Sequence, residues 1–186
     1  MLSPATPSAV GALVAMALAV GPRAADAQPA QPPSEPEPMQ HHAIALTGGS
    51  GLSLGSSGGG NSYAARTPGF VDIAWRTWHS TTPQWVTGFS LRAEVDGRTS
   101  VGVVPRFEFS RTVGRLTLRP GFAAVVFFAP FQLAGPEASF TVALRLGSVA
   151  SLIGALAVDL FFIGNDLPPR STVFSVNGAL GVSIEL

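Results

Sequence analysis

From residue 43 to the C-terminus apolar and polar side chains alternate with period two, and no stretch carries the 3.6-residue period of an amphipathic helix. Neighbouring side chains of a strand point to opposite faces, so each run reads as a strand with one apolar and one polar face. Over 85–95, Trp85, Thr87, Phe89, Leu91, Ala93 and Val95 share one face, while Gly88, Ser90, Arg92 and Glu94 share the other. Over 101–109, Val101, Val103, Pro105, Phe107 and Phe109 stand against Gly102, Arg106 and Glu108. Near the end of the chain Phe174, Val176, Val182 and Ile184 oppose Ser175, Asn177, Ser183 and Glu185. The pattern predicts eight strands, over 43–54, 70–78, 85–95, 101–109, 115–128, 139–147, 151–163 and 172–185. Their lengths cluster near the roughly 9–11 residues with which a tilted strand crosses a bilayer.

The charges follow the same parity. Asp72, Arg76, Arg92, Glu94, Arg106, Glu108, Arg115, Arg119, Arg145, Asp159 and Glu185 each fall on the face opposite the apolar row of their strand. If these faces surround one barrel axis, the Arg and carboxylate groups form an internal network, because charges removed from water need partners. The short turns set its register. The turn over 80–84 places Asp72 across from Arg92, and the turn over 112–114 places Glu108 near Arg115 and Arg119, with Arg106 opposite Arg119.

Which face points inward decides the environment. In a soluble lipocalin-type barrel the apolar rows line a cavity and the charges meet water; in an outer-membrane barrel the rows are reversed. Composition favours the second. Only 12% of the residues are charged, about half of the roughly 25% usual for a soluble domain. All 11 basic residues are Arg, and they balance 11 acidic residues, so no net field attracts nucleic acid. The apolar rows also carry aromatics suited to interface girdles: Phe128, Phe140, Phe162 and Phe174 toward one rim, Trp85 and Phe109 toward the other, with Trp75 on the second strand. Long connections alternate with short ones, as external loops do with periplasmic turns.

The first 42 residues read differently. An apolar stretch over 9–20 precedes the small-x-small sequence Ala25-Asp26-Ala27, which predicts a secretory signal peptide over 1–27. A stretch of 12 residues is too short for a membrane-spanning helix. Residues 28–42 are rich in Pro and lack apolar periodicity, predicting a disordered linker; the alternative reading is a docking segment for a periplasmic partner. The barrel then occupies 43–186.

The strand count, the alternation, the loop asymmetry and a last strand that runs to the C-terminus make 43–186 resemble the small eight-stranded outer-membrane barrels of the OmpA transmembrane domain and OmpX type. The resemblance implies an all-β, eight-stranded antiparallel up-and-down transmembrane barrel, seated in outer-membrane lipid. It also implies delivery by the outer-membrane assembly machinery through the C-terminal strand. That strand ends Val182, Ile184, Leu186, with Leu where the family carries an aromatic residue.

Candidate chemistry is sparse. With no Cys and three His, disulfides, thiol chemistry and zinc sites have little support, and no cofactor is expected. A hydrolase would need a hydroxyl, an imidazole and a carboxylate in contact. His41 and His42 sit at the end of the Pro-rich spacer, where adjacent residues of an extended chain point to opposite faces, and His79 and Ser80 likewise point apart, so no enzyme is expected. Eight strands enclose a bore that side chains fill, which favours a structural or surface-binding role over a narrow ion or solute channel. The outer loops offer Tyr63, Arg66, Phe131 and Arg170 to a surface ligand. Pro105 and Pro120 fall inside strands, where a bulge is expected at each.

Overall fold

The computed structural model describes residues 39–56, 62–79, 84–96, 99–165, 167 and 171–186. The signal peptide, most of the Pro-rich linker, Ser80 and Arg170 lie outside the described residues. Ten strands follow in chain order: β1 (Gln40–Ser56), β2 (Ser62–Arg66), β3 (Phe70–His79), β4 (Gln84–Glu94), β5 (Val101–Val113), β6 (Leu116–Ala129), β7 (Leu133–Arg145), β8 (Ala150–Phe161), β9 (Ile163–Gly164) and β10 (Thr172–Glu185). Each long strand pairs antiparallel with its neighbours, and β10 returns to β1 from Ala43↔Glu185 to Ser56↔Thr172. The sheet is therefore closed and leaves no open edge between its first and last strands. The short strand β2 pairs with the upper part of β1 while β3 pairs with its lower part, so the two share one stave. Likewise β9 continues the stave of β8 against β7. The result is a closed antiparallel barrel of eight staves.

A 13-residue strand such as β7 tilted by about 40° rises roughly 33 Å, enough for the about 30 Å hydrocarbon layer. Parity decides what each face meets. Leu46, Ile73, Phe89, Leu91, Leu156 and Val182 are exposed on the outer wall. Asp72, Arg76, Arg92, Glu108 and Asp159 are buried inside. This is the inverse of a soluble lipocalin-type barrel, and that alternative is set aside on the burial pattern.

The interior is filled rather than open. Small residues let opposite walls approach, and Ala45, Ala74 and Ala143 pack around Ile153. Ala43, Trp78 and Val86 close the end where β1 begins and β10 ends. At the other end Val104, Val125, Phe127, Leu133 and Phe161 form a second apolar group.

Several boundaries differ from the sequence expectation. The first strand begins at Gln40, so His41 and His42 belong to the sheet. The stave containing Phe140 begins at Leu133, six residues before 139, in spite of Pro136. The β5–β6 turn is formed by Gly114 and Arg115, and Gly114 has φ 62°, a left-handed conformation that favours glycine. Neither proline causes a register shift. Pro105 pairs with Phe89 and Pro120 with Phe140, while the β5–β6 ladder is interrupted beside both, where the missing N–H groups fall. The register of that ladder shifts between Val101 and Gly102.

Candidate functional site

Two layers of charge cross the lumen. In the outer layer, β3 and β4 place Asp72 directly opposite Arg92. Arg92 Nε donates to Asp72 Oδ1 and Arg92 Nη2 to Asp72 Oδ2, both at 3.0 Å. The same Nη2 donates to Glu137 Oε2 at 3.1 Å. Asp72 stands on the second stave and Glu137 on the sixth, so one guanidinium links opposite walls of an eight-stave barrel. Arg106 from β5 adds a contact to Glu137 Oε1 at 3.4 Å and a longer one to Asp72 at 4.0 Å. Each of these side chains is at most 8% exposed.

Glu137 is the central acceptor of this layer and lies ahead of the strand expected over 139–147, within the longer β7. Its stretch, with Gly135 and Pro136, carries turn residues that mask two-residue alternation. The signal that locates it is parity: Glu137, Ser139, Thr141 and Ala143 continue one inward row.

The inner layer is simpler. Arg76 Nε donates to Glu108 Oε2 at 2.9 Å, with side chains 3% and 0% exposed. Arg119 lies nearby, its guanidinium 5.8 Å from the centre of the Trp78 ring. Glu94 is buried higher up and accepts from Ser100 Oγ. Asp159 is 1% exposed; its Oδ2 accepts from Ser175 Oγ at 2.9 Å and Asn177 Nδ2 at 2.6 Å.

Three expected interior charges are elsewhere. Arg115 sits exposed in the β5–β6 turn, away from Glu108. Arg145 and Glu185 pair at 3.3 Å at the rim near the chain termini, with side chains 56% and 31% exposed. The cause for Arg115 is register. With the turn centred between Gly114 and Arg115, Glu108 pairs with Gly121 and Arg106 with Ala123, so Arg106 does not stand opposite Arg119.

The aromatic positions face outward. Trp85 and Phe109 pair directly across β4 and β5, their rings edge-on at 5.2 Å, and Phe107 stacks on Trp85 at 4.9 Å. Phe128, Phe162 and Phe174 lie near the opposite rim. Phe140 is the exception: because β7 starts early, it lies mid-strand, paired with Pro120 and Leu156. Trp75 belongs to a group near the terminal rim, where its Nε1 donates to Thr77 Oγ1 at 3.1 Å. His42 Nδ1 is 3.1 Å from the same hydroxyl. His41, on the inner face, stacks on Trp78 at 5.7 Å.

The end of the barrel away from the termini holds a cavity of about 240 Å³. Its floor is Arg92, Asp159 and Asn177, and its wall is Phe127, Leu133 and Phe161. Tyr63 borders it; Arg66 stands exposed beside it, paired with Asp96 at 3.0 Å, and Phe131 is part of the same exposed rim.

No protein-family model matches the chain, and no curated protein does. Among solved structures it is similar to Neisserial surface protein A, with 9% sequence identity and a TM-score of 0.44 over 76% of this chain and 97% of that one. It is also similar to Ail, the attachment invasion locus protein of Yersinia pestis, in complex with the heparin analogue sucrose octasulfate, with 10% identity and a TM-score of 0.40 over 80% and 100%. The architecture rests on the chain's own strand pairing: a closed antiparallel β-barrel of eight staves, apolar outside and charged within.

Proposed function

We propose that the protein is a non-enzymatic outer-membrane β-barrel whose role is structural or surface-binding. One observation carries this reading: the apolar rows are exposed while the inward rows bury ion pairs, Arg76 with Glu108 and Arg92 with Asp72 and Glu137, an arrangement suited to lipid outside and a polar core. Outer-membrane lipid covers the wall. The assembly machinery engages β10 on its outward row of Val182 and Ile184. The Pro-rich stretch that precedes β1 is a docking segment for a periplasmic partner. A channel is the weaker reading, because the Arg92 bridge between Asp72 and Glu137 runs across the bore.

The test is fractionation. The full chain is expressed in a Gram-negative host, and the two membranes are separated on a density gradient. The protein is expected with the outer membrane and resistant to extraction by carbonate at high pH. Recovery in the soluble periplasmic fraction would overturn the proposal.

A further inference from the structure

The cavity at the end opposite the termini has an asymmetric lining. One inward step along a strand separates its polar floor from its apolar wall: Phe161 stands two residues beyond Asp159 on β8, and Val173 two before Ser175 on β10. Two residues of strand span about 6.6 Å. Phe127 and Phe161 face the space from adjoining parts of the wall, their rings 6.3 Å apart and tilted by 47°.

The acidic groups of the floor are served unequally. Asp72 and Glu137 are served by Arg92 and Arg106. Asp159 has no guanidinium within ion-pair distance among the described residues, and it stands directly across the β7–β8 ladder from Glu137, a like charge. Its Oδ2 is held by Ser175 and Asn177, Oδ1 accepts from no nitrogen or hydroxyl although the residue is 1% exposed, and the Glu137 carboxyl lies within hydrogen-bonding reach of the Asp159 carboxyl. A buried carboxylate oxygen in that state favours a cationic donor. Arg92 does not invite an anion, since it is already engaged by two carboxylates and its guanidinium lies 4.7 Å from the centre of the Phe70 ring.

We propose that this cavity binds a small organic cation, an amine with an aromatic or similarly flat apolar body, its ammonium on Asp159 and its body between Phe127 and Phe161. Size sets the limit. A cavity of about 150 Å³ takes one benzene molecule, so 240 Å³ takes about ten non-hydrogen atoms at the same packing. The step between floor and wall suits a two-carbon spacer between nitrogen and ring. The site requires the closed barrel of the preceding proposal but not its surface role.

The probes are phenethylamine and its neutral isostere 2-phenylethanol, titrated by calorimetry into the full-length folded protein in detergent. Folding of every sample is checked first by gel mobility before and after boiling, so a protein that fails to form a barrel is distinguished from a barrel without the site. The amine is expected to saturate and to bind at least about tenfold more tightly than the alcohol, the effect of one charge-assisted hydrogen bond. Asp159→Asn is expected to abolish that preference. Should this variant not fold, Phe161→Leu serves instead: it is expected to weaken both probes about equally. Equal binding of the two probes to the wild type, no saturable binding, an unchanged preference in folded Asp159→Asn, or unchanged affinities in Phe161→Leu would each overturn the proposal.

Discussion

Replacing Glu108 by Gln tests whether the interior charges support the barrel as a paired set. Glu108 is fully buried and accepts from Arg76 Nε at 2.9 Å, and Arg119 is the other guanidinium in that layer. The substitution keeps the volume but leaves two buried cations without their carboxylate, which costs about 3–5 kcal/mol. The Arg145–Glu185 pair at the rim provides the internal control, since its side chains are 56% and 31% exposed; Glu185→Gln is expected to cost less than about 1 kcal/mol. A third variant separates desolvation from loss of attraction. In the double substitution Arg76→Met with Glu108→Leu the charge of Arg76 leaves with its partner, and at least half of the loss is expected to return. The assay is equilibrium unfolding in urea with the barrel in lipid vesicles, read by the gel mobility of unboiled samples. Equal effects for Glu108→Gln and Glu185→Gln, or a double variant worse than the single one, would refute the reasoning.

Other predictions follow from the wall, the turn and the bore. Leu156, exposed at mid-strand on β8, is expected to lose about 2–4 kcal/mol on substitution by Arg in the same vesicle assay, whereas Arg at Val149 in the 147–149 turn is expected to cost under about 1 kcal/mol. Gly114→Val is expected to cost about 1–2 kcal/mol, because φ is 62° and nothing crowds a side chain there, so the penalty is one of backbone alone; Gly114→Asn should recover most of it. In planar bilayers the wild-type protein is expected to give no stable conductance steps, while Arg92→Ala, which removes the link between opposite walls, should give brief openings. Steady conductance in the wild type contradicts the filled interior.

Much of this fold can be read from parity alone, because a one-residue slip would move a strand's charges onto its apolar outer wall. The apposition of Asp72 and Arg92 follows from alternation and the short connection after His79. Register across the β5–β6 turn was less legible. Gly114 is visible as a turn residue, but whether the turn ends on it or centres after it moves the pairing by four residues, from Arg106 opposite Arg119 to Arg106 opposite Ala123. Arg115 went astray for the same reason. Glu137 was hidden by the Gly135-Pro136 sequence, which reads locally as a loop and is overruled by pairing of β7 on both sides. The asymmetric cavity has no sequence signature, since Phe127, Asp159 and Phe161 meet only through the closure of the sheet.

The most direct test of the central claim, that the apolar wall faces lipid, is heat modifiability combined with detergent dependence. The protein is prepared with and without detergent and run on a gel before and after boiling. The account predicts that it stays monomeric only with detergent or lipid and that the unboiled form migrates differently from the boiled one. A protein that is monomeric in plain buffer and shows one mobility would contradict it and turn the apolar rows inward.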